Sequence, residues 1–221
     1  MRRFYLLALA GALTAPLPLL AQDNPAPSRY ECSATVGDFP GETVSVFLLF
    51  DATGEPIGRT ASWSPRQKGD LGRGDLTRPD VTLWIRFDGV SERAIGRAVD
   101  AQLSVSVFSP LRERQAPGKL AARLAGFTGQ YRFGNAPFVP LASFTSNADT
   151  SLPGSAQVSQ SIPMPQQMPQ WLDVQVLGKG QHVAVSTRFA LDSTASRDQL
   201  FWLAMDAAQT AALDFKSCPA G

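Results

Sequence analysis

Three dipeptides of the same composition, Arg86-Phe87, Arg132-Phe133 and Arg188-Phe189, stand out among the residues able to do chemistry. Each lies in a strand-like stretch, where successive side chains leave on opposite faces, so each Phe points one way and each Arg the other. That alternation on its own describes a half-buried sheet, with Phe in the core and Arg in water. If the three strands are neighbours it describes more, because planar guanidinium forks gathered on one face suit a carboxylate or phosphate. Arg86, Arg132 and Arg188 are therefore the candidate ligand-binding residues, and a small anion is their candidate ligand.

Other catalytic signatures are absent from the chain. Its single histidine, His182, sits in a Gly-Lys-Gly-Gln-His turn, whereas zinc sites converge several His, Cys or acidic ligands. A Ser–His–acid triad built on His182 is formally open, but no pattern marks its serine. There is no Gly-x-Ser-x-Gly elbow, Ser-x-x-Lys, His-Glu-x-x-His, P-loop or dinucleotide fingerprint. Met164 and Met168 offer soft sulfur to Cu(I) only as two thioethers on a Pro- and Gln-rich segment, which makes a poor site. Arg73-Gly74-Asp75 matches an adhesion tripeptide, but three residues recur by chance. No catalytic residue, metal or cofactor is expected.

Positioning these side chains falls to short strands. Val81–Phe87, Leu103–Val107 and Val183–Phe189 alternate cleanly, while Thr43–Phe50 is apolar on both faces, as in a covered strand. Weaker candidates are Tyr30–Val36, Ile57–Trp63, Thr128–Phe133, Phe138–Thr145 and Asp173–Leu177, separated by Gly, Pro, Asn and Asp. The segment Leu152–Gln170, rich in Pro, Gln and Ser, reads as an extended, exposed loop. Ser91–Ala101 fits either the start of a helix or a strand. Near the end the period changes: Arg197 to about Leu213 is an amphipathic helix. Ser196 and Gln199 have capping-box spacing there, and Leu200, Ala204, Ala207 and Ala211 share one side, with Phe201, Met205 and Ala208 beside them. The fold class that follows is mainly β (α+β). It is an antiparallel sandwich or twisted sheet of about eight to ten short strands, with one C-terminal helix packed on it.

Two stretches, VFLLFDATGEPIGR from Val46 and TLWIRFDGVSERAIGR from Thr82, repeat a strand ending in Phe-Asp and a later Ile-Gly-Arg. The gaps differ in chemistry, so Asp51 and Asp88 are expected to be turn residues at two strand ends of a scaffold rather than a duplicated site.

The N-terminus reads as an export signal: Arg2-Arg3, an apolar run from Phe4 to Leu13, then a Pro-broken segment ending at Ala21. Cleavage after Ala21 would leave residues 22–221 as one β-rich domain, secreted or periplasmic, without a transmembrane segment. Losing Arg2 and Arg3 turns a formal charge of +1 into about −1. A balance so near neutral argues against nucleic acid as partner. Export also explains the cysteines, since Cys32 and Cys218 frame the domain and most simply form a disulfide joining its ends. Two functional classes follow. The first is a non-enzymatic exported domain that binds an envelope component, another protein or a small anion. The alternative is an exported hydrolase with scattered catalytic groups, such as paired carboxylates that need no local motif.

Overall fold

The computed structural model describes residues 28–38, 41–68, 80–108, 127–146, 155–178, 180 and 183–220. The expected export signal, Arg73-Gly74-Asp75 and His182 lie outside the described residues. The strands are β1 (Arg29–Gly37), β2 (Thr43–Asp51), β3 (Pro56–Ser64), β4 (Gln67–Lys68), β5 (Asp80–Asp88), β6 (Arg97–Phe108), β7 (Thr128–Phe133), β8 (Val139–Pro140), β9 (Thr145–Ser146), β10 (Ser155–Pro163), β11 (Trp171–Leu177) and β12 (Val183–Ala190). All pairings are antiparallel. They build a seven-stranded sheet, β1-β2-β3-β5-β6-β10-β9, and a five-stranded sheet, β4-β12-β11-β7-β8. The C-terminal helix α1 (Thr194–Ala212) packs on β1 and β2. The α+β class expected from the alternating pattern is the one observed.

Period-two alternation places the core. Val44, Val46, Trp63, Leu83, Ile85 and Leu103 from the larger sheet are fully buried, and they form one cluster with Leu172, Val174, Val176 and Phe189 from the smaller. Helix α1 adds Phe201, Ala204, Met205 and Ala208 to it.

The helix departs from expectation in two ways. Its buried face follows the i, i+3, i+4, i+7 set of Phe201, Ala204, Met205 and Ala208, while Ala207 and Ala211 are exposed. The large Phe201 and Met205 side chains remove more apolar area from water than the alanines would, so they choose the face. The expected capping box also does not form. Ser193 is the N-cap and makes no side-chain cap bond. Its hydroxyl and that of Ser196 instead donate to the Glu42 carboxylate, at 3.2 and 2.8 Å. Glu42 is buried and also accepts the Trp63 indole N–H at 2.8 Å. A carboxyl group from the residue just before β2 thus satisfies three donors at the start of the helix.

Two other stretches are corrected, and the open reading of a third is resolved. Leu152–Gln170 is not wholly loop, because Ser155–Pro163 forms β10 and pairs with β6 along its whole length. Among the described side chains of β10 only Val158 and Ile162 are buried, so ladder hydrogen bonds rather than hydrophobic alternation bring this polar segment into the sheet. Met164 and Met168 pack against the core as space-fillers. Phe138–Thr145 yields only β8 and β9, in different sheets, since Pro137 and Pro140 lack the N–H that a longer ladder needs. Ser91–Ala101 is no helix: Ser91 and Ala94 close a bridge and Arg97 begins β6.

Both Phe-Asp strand ends are hairpin turns. The Asp51 carboxylate accepts the Thr53 N–H and hydroxyl and the Glu55 N–H, at 2.8, 2.7 and 3.0 Å. The Asp88 carboxylate accepts the Gly89 N–H at 2.8 Å. In the second turn Gly96 has φ +84°, and a Cβ there would run into the Asp88 carbonyl. Arg59 of the first hairpin pairs with Glu92 of the second at 2.8 Å, tying the two turns together at the surface.

Candidate anion-binding site

Neighbouring strands β7, β11 and β12 bring two of the three candidate arginines together. Their register sets Asp173 of β11 opposite Arg132 on one side and Arg188 on the other. On the opposite face of these strands Leu172 and Phe189 are buried and Phe133 packs against the core, so the alternation turns both arginines outward. Arg86 is placed elsewhere. It belongs to β5 of the seven-stranded sheet and donates to Asp100 at 3.1 and 2.5 Å. Three arginines on one face are therefore not what the chain assembles. Two are, around a carboxylate.

That carboxylate orients both guanidiniums. Arg188 donates Nε and Nη2 to the two Asp173 oxygens at 2.6 and 3.0 Å, and Arg132 donates Nε at 3.0 Å. Aromatic rings hold the outer flanks: Arg132 lies 4.5 Å from the centre of the Phe138 ring, and Arg188 lies 4.8 Å from that of Trp171. The Trp171 indole N–H in turn donates to the Gly134 carbonyl at 3.1 Å, which fixes the plane on which Arg188 rests.

Exposure differs sharply within the cluster. The Asp173 side chain is 9% exposed, against 32% for Arg132 and 49% for Arg188. The anion is inside and the cations are at the surface. Burial by itself would raise the Asp173 pKa, but hydrogen bonds from Arg188 and Arg132, together with their charges, outweigh it and hold the carboxyl below its usual value. The same bonds raise Arg188 above the ordinary guanidinium value. Among the described residues, two guanidiniums face one carboxylate in this cluster, an excess of one positive charge. Lys68 stands opposite Arg188 in the register of the adjoining strand β4.

The alternation of β11 carries a signal for Asp173: a lone acid between Leu172 and Val174 in an apolar strand must find cationic partners once the strand is covered. Trp171 and Phe138 carry no such signal, because their role depends on which arginine lies beside them.

No protein-family model, curated protein or solved structure matches this chain. The neighbouring row of the same face is uncharged, with Gln130 donating to Gln175 at 2.8 Å, so the charge is concentrated at the arginine pair.

Proposed function

We propose that this protein is an exported, non-enzymatic binding domain that captures carboxylate- or phosphate-bearing envelope components on the outer face of its five-stranded sheet. The observation that carries the proposal is the convergence of Arg132 and Arg188 on Asp173, with both guanidiniums partly exposed and each resting on an aromatic ring. Asp173 serves to orient the two forks, so an arriving anion meets donors already in place. Arg132 spends one nitrogen on Asp173 and Arg188 spends two, out of the five N–H bonds each fork carries. Export is supported by the leader-like N-terminus and by the Cys32–Cys218 disulfide, which persists in an oxidising compartment.

Titrating the full chain with inorganic phosphate and with a short poly-glutamate peptide, read by tryptophan fluorescence, tests this. Saturable binding that weakens with added salt is expected for at least one of them. Arg132→Lys with Arg188→Lys keeps the charge but removes the forks, and should lower affinity about tenfold or more. Absence of saturable binding to both probes, or an unchanged affinity in the double variant, would overturn the proposal.

A further inference from the structure

The outer face of the seven-stranded sheet carries a different chemistry. Its outward positions hold almost no aliphatic side chain where β2, β3, β5, β6 and β10 run side by side. Instead they present Phe47, Thr60, Ser62, Trp84, Gln102 and Ser161 around an open groove of about 400 Å³. Among the described residues lining the groove the charged ones are Arg86 and Asp100, and they are paired with each other, so the lining carries no unmatched charge to attract an ion. Next to it the Gln102 amide donates to the Ser159 hydroxyl at 2.6 Å, and Ser104 and Ser159 share a hydrogen bond of 2.8 Å. These outward side chains are therefore held in fixed orientations rather than loosely solvated.

We infer that this groove binds a neutral oligosaccharide. A sugar ring shows C–H bonds on its flat face and hydroxyls around its rim, each hydroxyl both donor and acceptor. Trp84 sits on β5 at the middle of the five strands and supplies the flat apolar surface that such a C–H face packs on, with Phe47 two strands away. Around them Gln102 and the serine and threonine hydroxyls both donate and accept, Arg86 donates and Asp100 accepts, matching the rim of a polyol. From β2 to β10 the row crosses four interstrand spacings, roughly 19 Å, which accommodates more than one ring. A protein partner would want a larger apolar patch, and an anion would want unmatched cations. This groove has neither. The site lies on the other sheet from the arginine pair and does not depend on it.

Isothermal titration of the full chain with chitohexaose, cellohexaose and maltohexaose, at low and high salt, tests the inference. At least one should bind saturably and with little salt dependence, as suits an uncharged ligand. Trp84→Ala should lower that affinity by about tenfold. Gln102→Ala, at an exposed position that leaves the core untouched, should lower it by about fivefold. Arg132→Lys with Arg188→Lys should leave it unchanged. The inference fails if none of the three sugars binds, or if Gln102→Ala and Trp84→Ala bind as tightly as the unaltered chain.

Discussion

At the scale of single residues, the same type of side chain does different work according to what surrounds it. Arg86 and Arg188 both follow an apolar alternation and both precede a buried Phe, yet one pairs with half-buried Asp100 on the larger sheet and the other with buried Asp173 on the smaller. Asp173 has a consequence that can be measured. Its pKa is held below the unfolded value of about 3.9, so the folded state binds fewer protons there than the unfolded state near that pH. Its contribution to stability is complete above the unfolded value and is lost as pH falls through the lower folded value. Denaturation midpoints followed from pH 6 to pH 2 should therefore drop, and Asp173→Asn should flatten that drop while lowering stability at pH 6. A variant with an unchanged acid profile would mean that the Asp173 carboxyl titrates alike in the folded and the unfolded chain.

At the scale of elements, the helix and β10 show how packing selects among local possibilities. Two faces of α1 are apolar enough to be buried, and the face with Phe201 and Met205 is the one taken. Trp202 and Leu203 are left 45% and 52% exposed in consequence. Phe201→Ala should cost about 3–5 kcal/mol by chemical denaturation, whereas Leu203→Ala should fall within about 0.5 kcal/mol of the parent. The reverse order would place the helix with its other face inward. In β10, polar Ser and Gln residues enter a sheet because β6 offers a full-length register, and their outward side chains then furnish part of the groove. A segment that looks like a linker thus becomes part of the proposed sugar-binding surface.

At the scale of the whole molecule, the two ends of the described chain are fastened together. Cys32 on β1 and Cys218 after α1 form a disulfide across 186 residues, with Cα atoms 5.1 Å apart. The join is reinforced by the Glu31 N–H donating to the Pro219 carbonyl at 2.9 Å, and by Phe215 packing edge-on against Tyr30 at 5.3 Å. A loop of that length lets the crosslink contribute up to about 5 kcal/mol by restricting the unfolded chain. Reduction, or Cys32→Ser with Cys218→Ser, should lower the Tm by several degrees without changing the far-ultraviolet circular dichroism at 25 °C. A Tm that does not move would show that the bridge adds nothing to what the hydrogen bond and the aromatic contact already supply. Among the described residues no helix is long and apolar enough to cross a membrane.

Much of this architecture was legible in the residues alone. Clean alternation along Val81–Phe87 and Val183–Phe189, and a weaker pattern along Thr128–Phe133, pointed to strands with Phe turned inward, because hydrophobic burial acts on a period set by backbone geometry. With two cysteines in the chain, the pairing of Cys32 with Cys218 was the simplest one to expect, and it is the one formed. Asp51 and Asp88 announced turns through their own side-chain chemistry. Only the tertiary structure decided which strands are neighbours, since pairing depends on register between segments far apart in the chain. For that reason it alone separated Arg86 from Arg132 and Arg188, and set Asp173 between the latter two. It alone drew Glu42 beneath the start of the helix and aligned Trp84 with Gln102 and Ser161 across the larger sheet. Alternation says which face a side chain takes, but what it meets there is decided by long-range strand pairing.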